Sequence, residues 1–247
     1  MLGRARGIVR SLVIYHGQPA KHRRALALYG GFLGPGDLAF DIGAHVGGRV
    51  RTWRRLGARV VAVEPQPDCL RVLRLLFGRD RGVTLVPSAV GTAAGRARLG
   101  VSTATPTVSS LSPAWRESVA SDRSFARVRW DRAVEVEVVT LDGLIAAHGE
   151  PAFCKIDVEG FEAEVLAGLS RPLRALSFEY LPPTHDAALA VLGRVEQLGG
   201  GGYTYNYSPV ETMRFASERW LDAAELVQLL ERMRPLGRSG DVYARLS

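Results

Sequence analysis

The residues with the clearest chemical potential lie where an apolar run meets an acid and a pair of glycines, Leu38-Ala39-Phe40-Asp41-Ile42-Gly43-Ala44-His45-Val46-Gly47. Glycine at Gly43 and Gly47 lets the backbone turn sharply and come close to a ligand, because a Cβ there would collide. A second apolar run, Val60-Val61-Ala62-Val63, ends in Glu64, the position from which a carboxylate binds both hydroxyls of a ribose. A dinucleotide pyrophosphate calls for G-x-G-x-x-G. Here Asp41-x-Gly43 is followed by Gly47 and Gly48, which argues against a pyrophosphate. An acid and glycines on one turn suit a nucleoside that carries an amino group, as S-adenosylmethionine does.

The bulk properties set limits on what can surround this turn. The chain has 247 residues, 47% hydrophobic and 23% charged, enough for one α/β core in a single domain over residues 1–247. No apolar run approaches the roughly 18 residues that span a bilayer. Arg4, Arg6 and Arg10 break the apolar character of the first residues, which argues against a secretory signal. Cys69 and Cys154 have no metal-ligand spacing and read as core thiols in a reducing, cytoplasmic compartment. The net charge of +7 is concentrated in a basic N-terminal segment, residues 1–35, where Arg4, Arg6, Arg10, Lys21, Arg23 and Arg24 all precede the first acid, Asp37. Such a patch can meet anionic lipid or nucleic acid. It lacks the interleaved aromatics that stack bases, and a solvated helical face is the preferred reading.

Strand and helix signals alternate along the chain, which predicts a mainly parallel sheet with helices on both faces. After the first strand, Val46, Val50, Trp53 and Leu56 recur at helical spacing up to Gly57. Asp68 is placed to cap the next helix, whose Leu70, Leu73 and Phe77 form an apolar face. Residues 83–86 read as a third strand, with Ser88 and Ala89 at its end. Two strands, 96–101 and 134–139, flank a Ser/Thr/Pro-rich loop over 102–113, and the irregular stretch 102–133 is an insertion or lid. Residues 153–156 form a buried strand, 162–169 a helix and 176–180 another strand. Residues 203–207 alternate like a strand, Asp222 with Glu225 forms a capping box, and residues 242–246 close the chain as a strand.

Several blocks occur in a telling order: Phe40-Asp41-Ile42-Gly43-Ala44-His45-Val46-Gly47, Val63-Glu64-Pro65, Ser88-Ala89-Val90-Gly91, Ser109-Ser110-Leu111, Thr140-Leu141-Asp142 and Lys155-Ile156-Asp157-Val158-Glu159-Gly160-Phe161-Glu162. From about residue 36 to 181 the chain resembles the FkbM-type S-adenosylmethionine-dependent methyltransferases. The resemblance implies a Rossmann-like, seven-stranded class I methyltransferase fold, mainly parallel with an antiparallel last strand. It also implies O-methylation of a hydroxyl on a sugar, a glycan or a polyketide-type small molecule. His45 departs from the family, which usually has Asn there, and imidazole and amide present different donors. Carried over, Asp41 orients the loop and faces the cofactor's amino end, Gly43, Ala44, His45 and Gly47 admit its methionine part, and Glu64 with Pro65 holds the ribose. Gln66, Ser88 and Ala89 line the adenine. Helix capping and surface charge are the bland alternative for Asp41 and Glu64.

Methyl transfer to an alcohol needs alignment, exclusion of water and a base for the leaving proton. Asp157 ends a central strand at the ligand edge and is the first candidate for the reaction centre and cofactor shell, either as base or as a carboxylate that fixes the loop. Lys155 points to the same side of the strand and can pair with it. Glu159 and Glu162 open the next helix, where acids favour its positive end, and Glu159 joins the catalytic candidates. Glu179 ends the next strand, in reach of acceptor hydroxyls or the cofactor. Asp157, Glu159 and Glu179 have the chemistry to hold Mg²⁺, but no obligatory metal is expected. Tyr203, Tyr205 and Tyr207 share a strand face and either stack on a sugar or, more commonly, pack on the core. Trp115 and Trp130 belong to a lid or to a small apolar cluster.

Two other functions compete with O-methylation. Enzymes of this fold that methylate amines in nucleic acids usually follow the fourth strand with Asn or Asp, two prolines and an aromatic, where this chain reads Asp157-Val158-Glu159-Gly160. A non-catalytic module would engage RNA or an acidic partner through the basic N-terminus.

Overall fold

In the computed structural model, which describes residues 2–122, 125–210 and 212–246 and of residues 2–5 only the backbone, the apolar runs pair into one large sheet. The side chain of Arg4 therefore lies outside the described residues. Strands β1 (Leu38–Ile42), β2 (Arg59–Val63) and β3 (Val83–Val86) come from the N-terminal half. The 88–139 region supplies β4 (Ser88–Val90), β5 (Gly95–Val101) and β6 (Arg132–Val139), and the C-terminal half supplies β7 (Phe153–Ile156), β8 (Ala175–Tyr180), β9 (Tyr203–Pro209) and β10 (Gly240–Leu246). The main sheet has seven strands in the order β3-β2-β1-β7-β8-β10-β9. All pairings from β3 to β8 are parallel, and β10 runs antiparallel to both β8 and β9. This is the expected architecture, last strand included.

Helices α1 (Leu2–His16), α2 (Pro19–Tyr29), α3 (Gly48–Arg55) and α4 (Pro67–Phe77) precede the small β4-β6-β5 sheet. After them come α5 (Pro113–Val119), α6 (Leu141–His148), α7 (Glu162–Ala167), α8 (His185–Gly199) and α9 (Ala223–Met233). None of the described helices is long and apolar enough to cross a membrane.

Alternation along the central strands divides the core into two layers. Phe40, Ile42, Cys154, Ile156, Leu176 and Phe178 pack on the side of α6 to α9. Ala39, Val60, Ala62, Phe153 and Tyr243 pack with Tyr29 and Trp53 on the side of α2 and α3. The same alternation sends Asp41, Lys155 and Asp241 to the second side, and the register puts Asp41 opposite Lys155 and Glu179 opposite Asp241. A row of charge is thereby carried to one edge of the sheet.

Four expectations need correction. Helix α4 starts at Pro67 with Gln66 at its N-cap, and Asp68 sits inside the first turn, paired with Arg71 at 2.7 Å. Proline's fixed φ sets that start. Ser88 and Ala89 do not end β3: Pro87 cannot donate to the ladder, and the chain switches into the second sheet, where β4 pairs with β6. The 102–113 stretch is not an open loop, since Ser110 bridges to Gly100 and residues 106–108 form a 3₁₀ turn. Lys21, grouped by sequence with a solvated basic face, is buried, whereas Arg6, Arg10 and Arg23 are exposed.

The aromatic questions resolve toward packing. Tyr203, Tyr205 and Tyr207 are buried, and their hydroxyls donate to Leu173 O, Glu196 and Arg238 O. Trp115 meets Phe125 and Trp130 edge-on at 5.7 and 6.3 Å. Cys69 and Cys154 are free and buried.

Phe153 sits at the centre of the second layer, fully buried, with ring centroids of Phe32, Tyr29 and Trp53 at 4.8, 5.7 and 5.8 Å. Phe153→Ala is predicted to lower the unfolding free energy by about 3–5 kcal/mol, read as a lower urea midpoint at unchanged slope. A loss below about 1 kcal/mol would mean that this layer collapses onto the gap.

Candidate active site

The loops that follow β1, β2, β7 and β8 meet at the carboxyl edge of the parallel strands, where open α/β sheets bind ligands. The first of them is pinned by its own backbone. The amides of Gly43 and Ala44 donate to Val63 O at 2.9 and 3.0 Å, and the amide of His45 donates to the Glu64 carboxylate at 2.8 Å. Gly43 has φ 83°, and a Cβ there would strike the carbonyl of Asp157, so the loop after β7 demands this glycine. Gly47, at φ 79°, is demanded by Phe77 and Leu73 of α4. Both positions are held to glycine by contact between protein segments.

Two adjoining clefts open over these loops. The first, about 540 Å³, is lined by Glu64, Pro65, Gln66, Ser88, Ala89 and Phe161 among others. The second, about 770 Å³, is lined by Tyr15, Asp41, Ala44, Arg49, Glu179 and Asp241 among others. Gly43, His45, Thr107, Asp157 and Glu159 line both. The structure thus brings the sequence-predicted residues together around one divided cleft, with Gly47 and Lys155 behind its walls.

Glu64 turns inward, 2% exposed, and accepts the amides of His45 and Gln66, each at 2.8 Å. Burial pushes its carboxyl up to about 7 against those two hydrogen bonds. Gln66 is held by the 102–113 segment: its Nε2 donates to Pro106 O, and its Oε1 accepts from Ser109, each at 3.0 Å. Asp41 is 2% exposed, its Oδ2 has no hydrogen-bond partner, and burial raises its carboxyl to about 6 against the pull of Arg49. His45 takes φ 49°, neither ring nitrogen has a partner, and burial lowers the imidazole to about 4, so it is neutral at pH 7.

The acids beyond β7 fall into two kinds. Asp157 lies 3.2 Å from the ammonium of Lys155 and 3.9 Å from Arg49. Burial works against its charged form, but Lys155 and Arg49 outweigh burial and hold the carboxyl below its ordinary range. Lys155, itself fully buried, also reaches Asp241 at 2.7 Å. Glu159, in the left-handed region at φ 55°, and Glu179 each place a carboxylate oxygen within 4.8 Å of the other and of Asp157. Burial raises both well above the ordinary range, aided at Glu159 by the charge of Glu179 and at Glu179 by the charges of Asp157 and Glu162. That spacing suits either a shared proton or a divalent cation. The loop-fixing role belongs to Glu162, whose carboxylate accepts the amides of Val158 at 3.2 Å and Gly160 at 3.3 Å.

Arg49, Asp241 and Tyr15 were not found from sequence. Arg49 is one arginine among many on a short helix, and Asp241 reaches the site only because β10 pairs with β8. Tyr15 comes from α1 and meets His45 edge-on at 5.6 Å.

A family model described as the methyltransferase FkbM domain matches residues 41–233, and the chain belongs to that family. Among solved structures the chain is similar to a precorrin-6Y C5,15-methyltransferase from Geobacter metallireducens, with 14% identity and a TM-score of 0.49 over 92% of this chain and 87% of that one. It is similar also to a precorrin 8W decarboxylase from Methanobacterium thermoautotrophicum, at 13% identity and a TM-score of 0.44 over 91% and 88% of the two chains. A third is fibrillarin from Aeropyrum pernix, solved with natively bound S-adenosylmethionine, at 12% identity and a TM-score of 0.43 over 89% and 73%. No curated protein matches the sequence.

The inward turn of Glu64 has a measurable signature. Its carboxyl moves from 4.5 to about 7 on folding, so between those values the native state holds a proton that the unfolded chain has released. Stability is then present below about pH 4.5 and falls as pH rises toward 7, by up to about 3 kcal/mol. Urea unfolding of the ligand-free protein and of Glu64→Gln is expected to show that difference between pH 4.5 and pH 8. A pH-independent difference between the two proteins would mean that Glu64 stays hydrated.

Proposed function

We propose that this FkbM-family methyltransferase is a single catalytic domain that uses S-adenosylmethionine to methylate a hydroxyl of a sugar, a glycan or a polyketide-type small molecule. The observation that carries the reading is the division of the cleft at Gly43, His45, Asp157 and Glu159. On this reading the adenosine lies on one side, the acceptor on the other, and the transferred methyl between them. The residues fit the cofactor: Glu64 faces inward to accept ribose hydroxyls, and the orphaned Oδ2 of Asp41 lacks the donor that an amino group would supply. Pro65, Gln66, Ser88 and Ala89 line the adenine side, and Gly43, Ala44, His45 and Gly47 form the turn beside the methionine part. The free, buried thiols Cys69 and Cys154 agree with a cytoplasmic setting.

When bound, S-adenosylmethionine supplies an electrophilic methyl group on a sulfonium. Asp157, kept ionised by Lys155 and Arg49, is a poor base, and its fixed negative charge faces the cationic end of the cofactor. Among the described residues Glu159 and Glu179 form no ion pair, so one ionised carboxylate of the two takes the proton from the acceptor hydroxyl. Bound beside these residues, the sulfonium would supply its methyl group to the acceptor oxygen as that proton leaves. A positioned base of this kind contributes roughly 10² to 10⁴ in rate. No obligatory metal is needed for this step. Oxygen is favoured over nitrogen as acceptor because the segment after β7, Asp157-Val158-Glu159-Gly160, lacks the prolines and aromatic of the amine-methylating enzymes.

Calorimetry is expected to show binding of S-adenosylmethionine and its demethylated product, but not of NAD. Glu64→Ala should weaken both adenosyl ligands at least tenfold, since each charge-assisted hydrogen bond is worth about 1.5–3 kcal/mol. Glu179→Gln should slow transfer of a labelled methyl group to a hydroxylated acceptor by roughly 10² or more at unchanged cofactor affinity. Absence of adenosyl binding up to about a millimolar, or turnover without methyl–oxygen product, would overturn the proposal.

A further inference from the structure

The exposed arginines of the N-terminal segment have no part in either cleft. On α1, Arg6 and Arg10 alternate with Val9 and Val13, and all four side chains are exposed. At 3.6 residues per turn these positions fall within an arc of about 100° on one side of the helix. Gly7 and Ser11, on the other side, are buried.

Helix α4 continues this surface. Its N-cap Gln66 donates to Pro106 O at 3.0 Å, and a Cβ on Gly7 of α1 would lie 3.0 Å from Pro106 Cδ. At the other end His16 of α1 lies 2.9 Å from Val46 O, and a Cβ on Gly47 would meet Leu73 and Phe77 of α4. The two helices thus begin against Pro106, end against the turn at Val46 and Gly47, and run side by side in the same direction. Leu75 and Leu76 of α4 are exposed, and with Val9 and Val13 they make four of the seven large hydrophobic side chains exposed among the described residues. Exposed apolar surface is concentrated here rather than scattered.

We propose that α1 and α4 form a docking surface for a membrane rich in anionic lipid, with the four aliphatic side chains inserted among the headgroups and the arginines around them at the lipid phosphates. Helix α1 contains no acid, and Asp68, the one acid of α4, is paired with Arg71 at 2.7 Å. Arg6, Arg10, Arg74 and Arg79 are exposed and form no ion pair among the described residues. An anionic bilayer surface takes up both components, the aliphatic side chains and the cations. A nucleic acid would use the cations but calls for stacking aromatics, and none of the seven exposed large hydrophobic side chains is aromatic. A second copy of the chain would cover the aliphatic groups but set arginine against arginine. Tyr15, also on α1, lines the second cleft, so the docked helix is itself part of the cleft wall.

The test is flotation of the full-length protein with vesicles, either pure phosphatidylcholine or phosphatidylcholine and phosphatidylglycerol in equal parts. The wild type is expected to bind the mixed vesicles and not the neutral ones, and to lose most of that binding at about 1 M salt, where the screening length falls to about 3 Å. Arg6→Gln/Arg10→Gln should weaken binding roughly tenfold or more, since each arginine near an anionic surface contributes about fivefold, and Arg6→Lys/Arg10→Lys should bind near normally. Val13→Gln/Leu75→Gln, at unchanged charge, should weaken it roughly fivefold or more. These side chains lie outside both clefts, so each variant should match the wild type in S-adenosylhomocysteine affinity and urea midpoint. If the α1 variants lose helicity, Leu75→Gln/Leu76→Gln on α4 is measured in their place. No binding to the mixed vesicles, equal binding to the neutral ones, or full binding by Arg6→Gln/Arg10→Gln overturns the proposal. Binding that is lost with the arginines but indifferent to Val13→Gln/Leu75→Gln points to a nucleic acid instead. A vesicle-free dimer that Val13→Gln/Leu75→Gln dissolves points to a second copy, and either result overturns the membrane assignment.

Discussion

A lysine with no exposure to solvent organises the carboxyl edge of this sheet. The Lys155 ammonium lies 2.7 Å from Asp241 and 3.2 Å from Asp157, so one cation joins β7, the loop after it and the antiparallel strand β10. Arg49, 3.6 Å from Asp241 and 3.9 Å from Asp157, brings α3 into the same network. A buried charge keeps its ionised form only when such partners surround it, and removing one partner typically costs about 3–5 kcal/mol. The apolar packing of Phe153, Tyr243 and Trp53 beneath these groups keeps water away and so strengthens each of those attractions.

The consequence is a division of labour among acids that look alike in the sequence. Asp157 and Asp241 are neutralised and fixed in place. Glu159 and Glu179 each have a carboxylate oxygen within 4.8 Å of the other and of Asp157, and neither forms an ion pair among the described residues. Glu162 has turned back to hold the amides of Val158 and Gly160, which stabilises the left-handed turn at Glu159. The role of each acid follows from its partner rather than from its residue type.

Two additions to the sheet complete the cleft. The segment 102–113 is tied down by Gln66, through Pro106 and Ser109, and by the bridge between Gly100 and Ser110. Helix α1 packs on its 3₁₀ turn, since a Cβ on Gly7 would lie 3.0 Å from Pro106 Cδ. At its far end α1 holds the site through His16, which lies 2.9 Å from Val46 O. Thr107 and Tyr15 thereby enter the wall of the cleft from segments with no part in the main sheet.

Alternation of strand and helix, the apolar runs and the glycine-acid turn after β1 were enough to establish the parallel sheet and the edge at which its acids gather, because those features depend on neighbours along the chain. Asp41, Glu64, Asp157, Glu159 and Glu179 were legible for the same reason: each ends or follows an apolar run, and strand ends on one edge converge. The partners of those acids were not legible. Asp241 meets Lys155 only through the register of β10 on β8, and Arg49 and Lys21 are distinguished from other surface cations only by what packs over them. Pro87 was visible in the sequence, but the transfer of Ser88 to a second sheet depended on β6 being there to receive it. Local pattern determined where the acids stand, and tertiary packing decided which of them are neutralised, because Coulomb attraction and desolvation depend on distances in space that sequence separation does not encode.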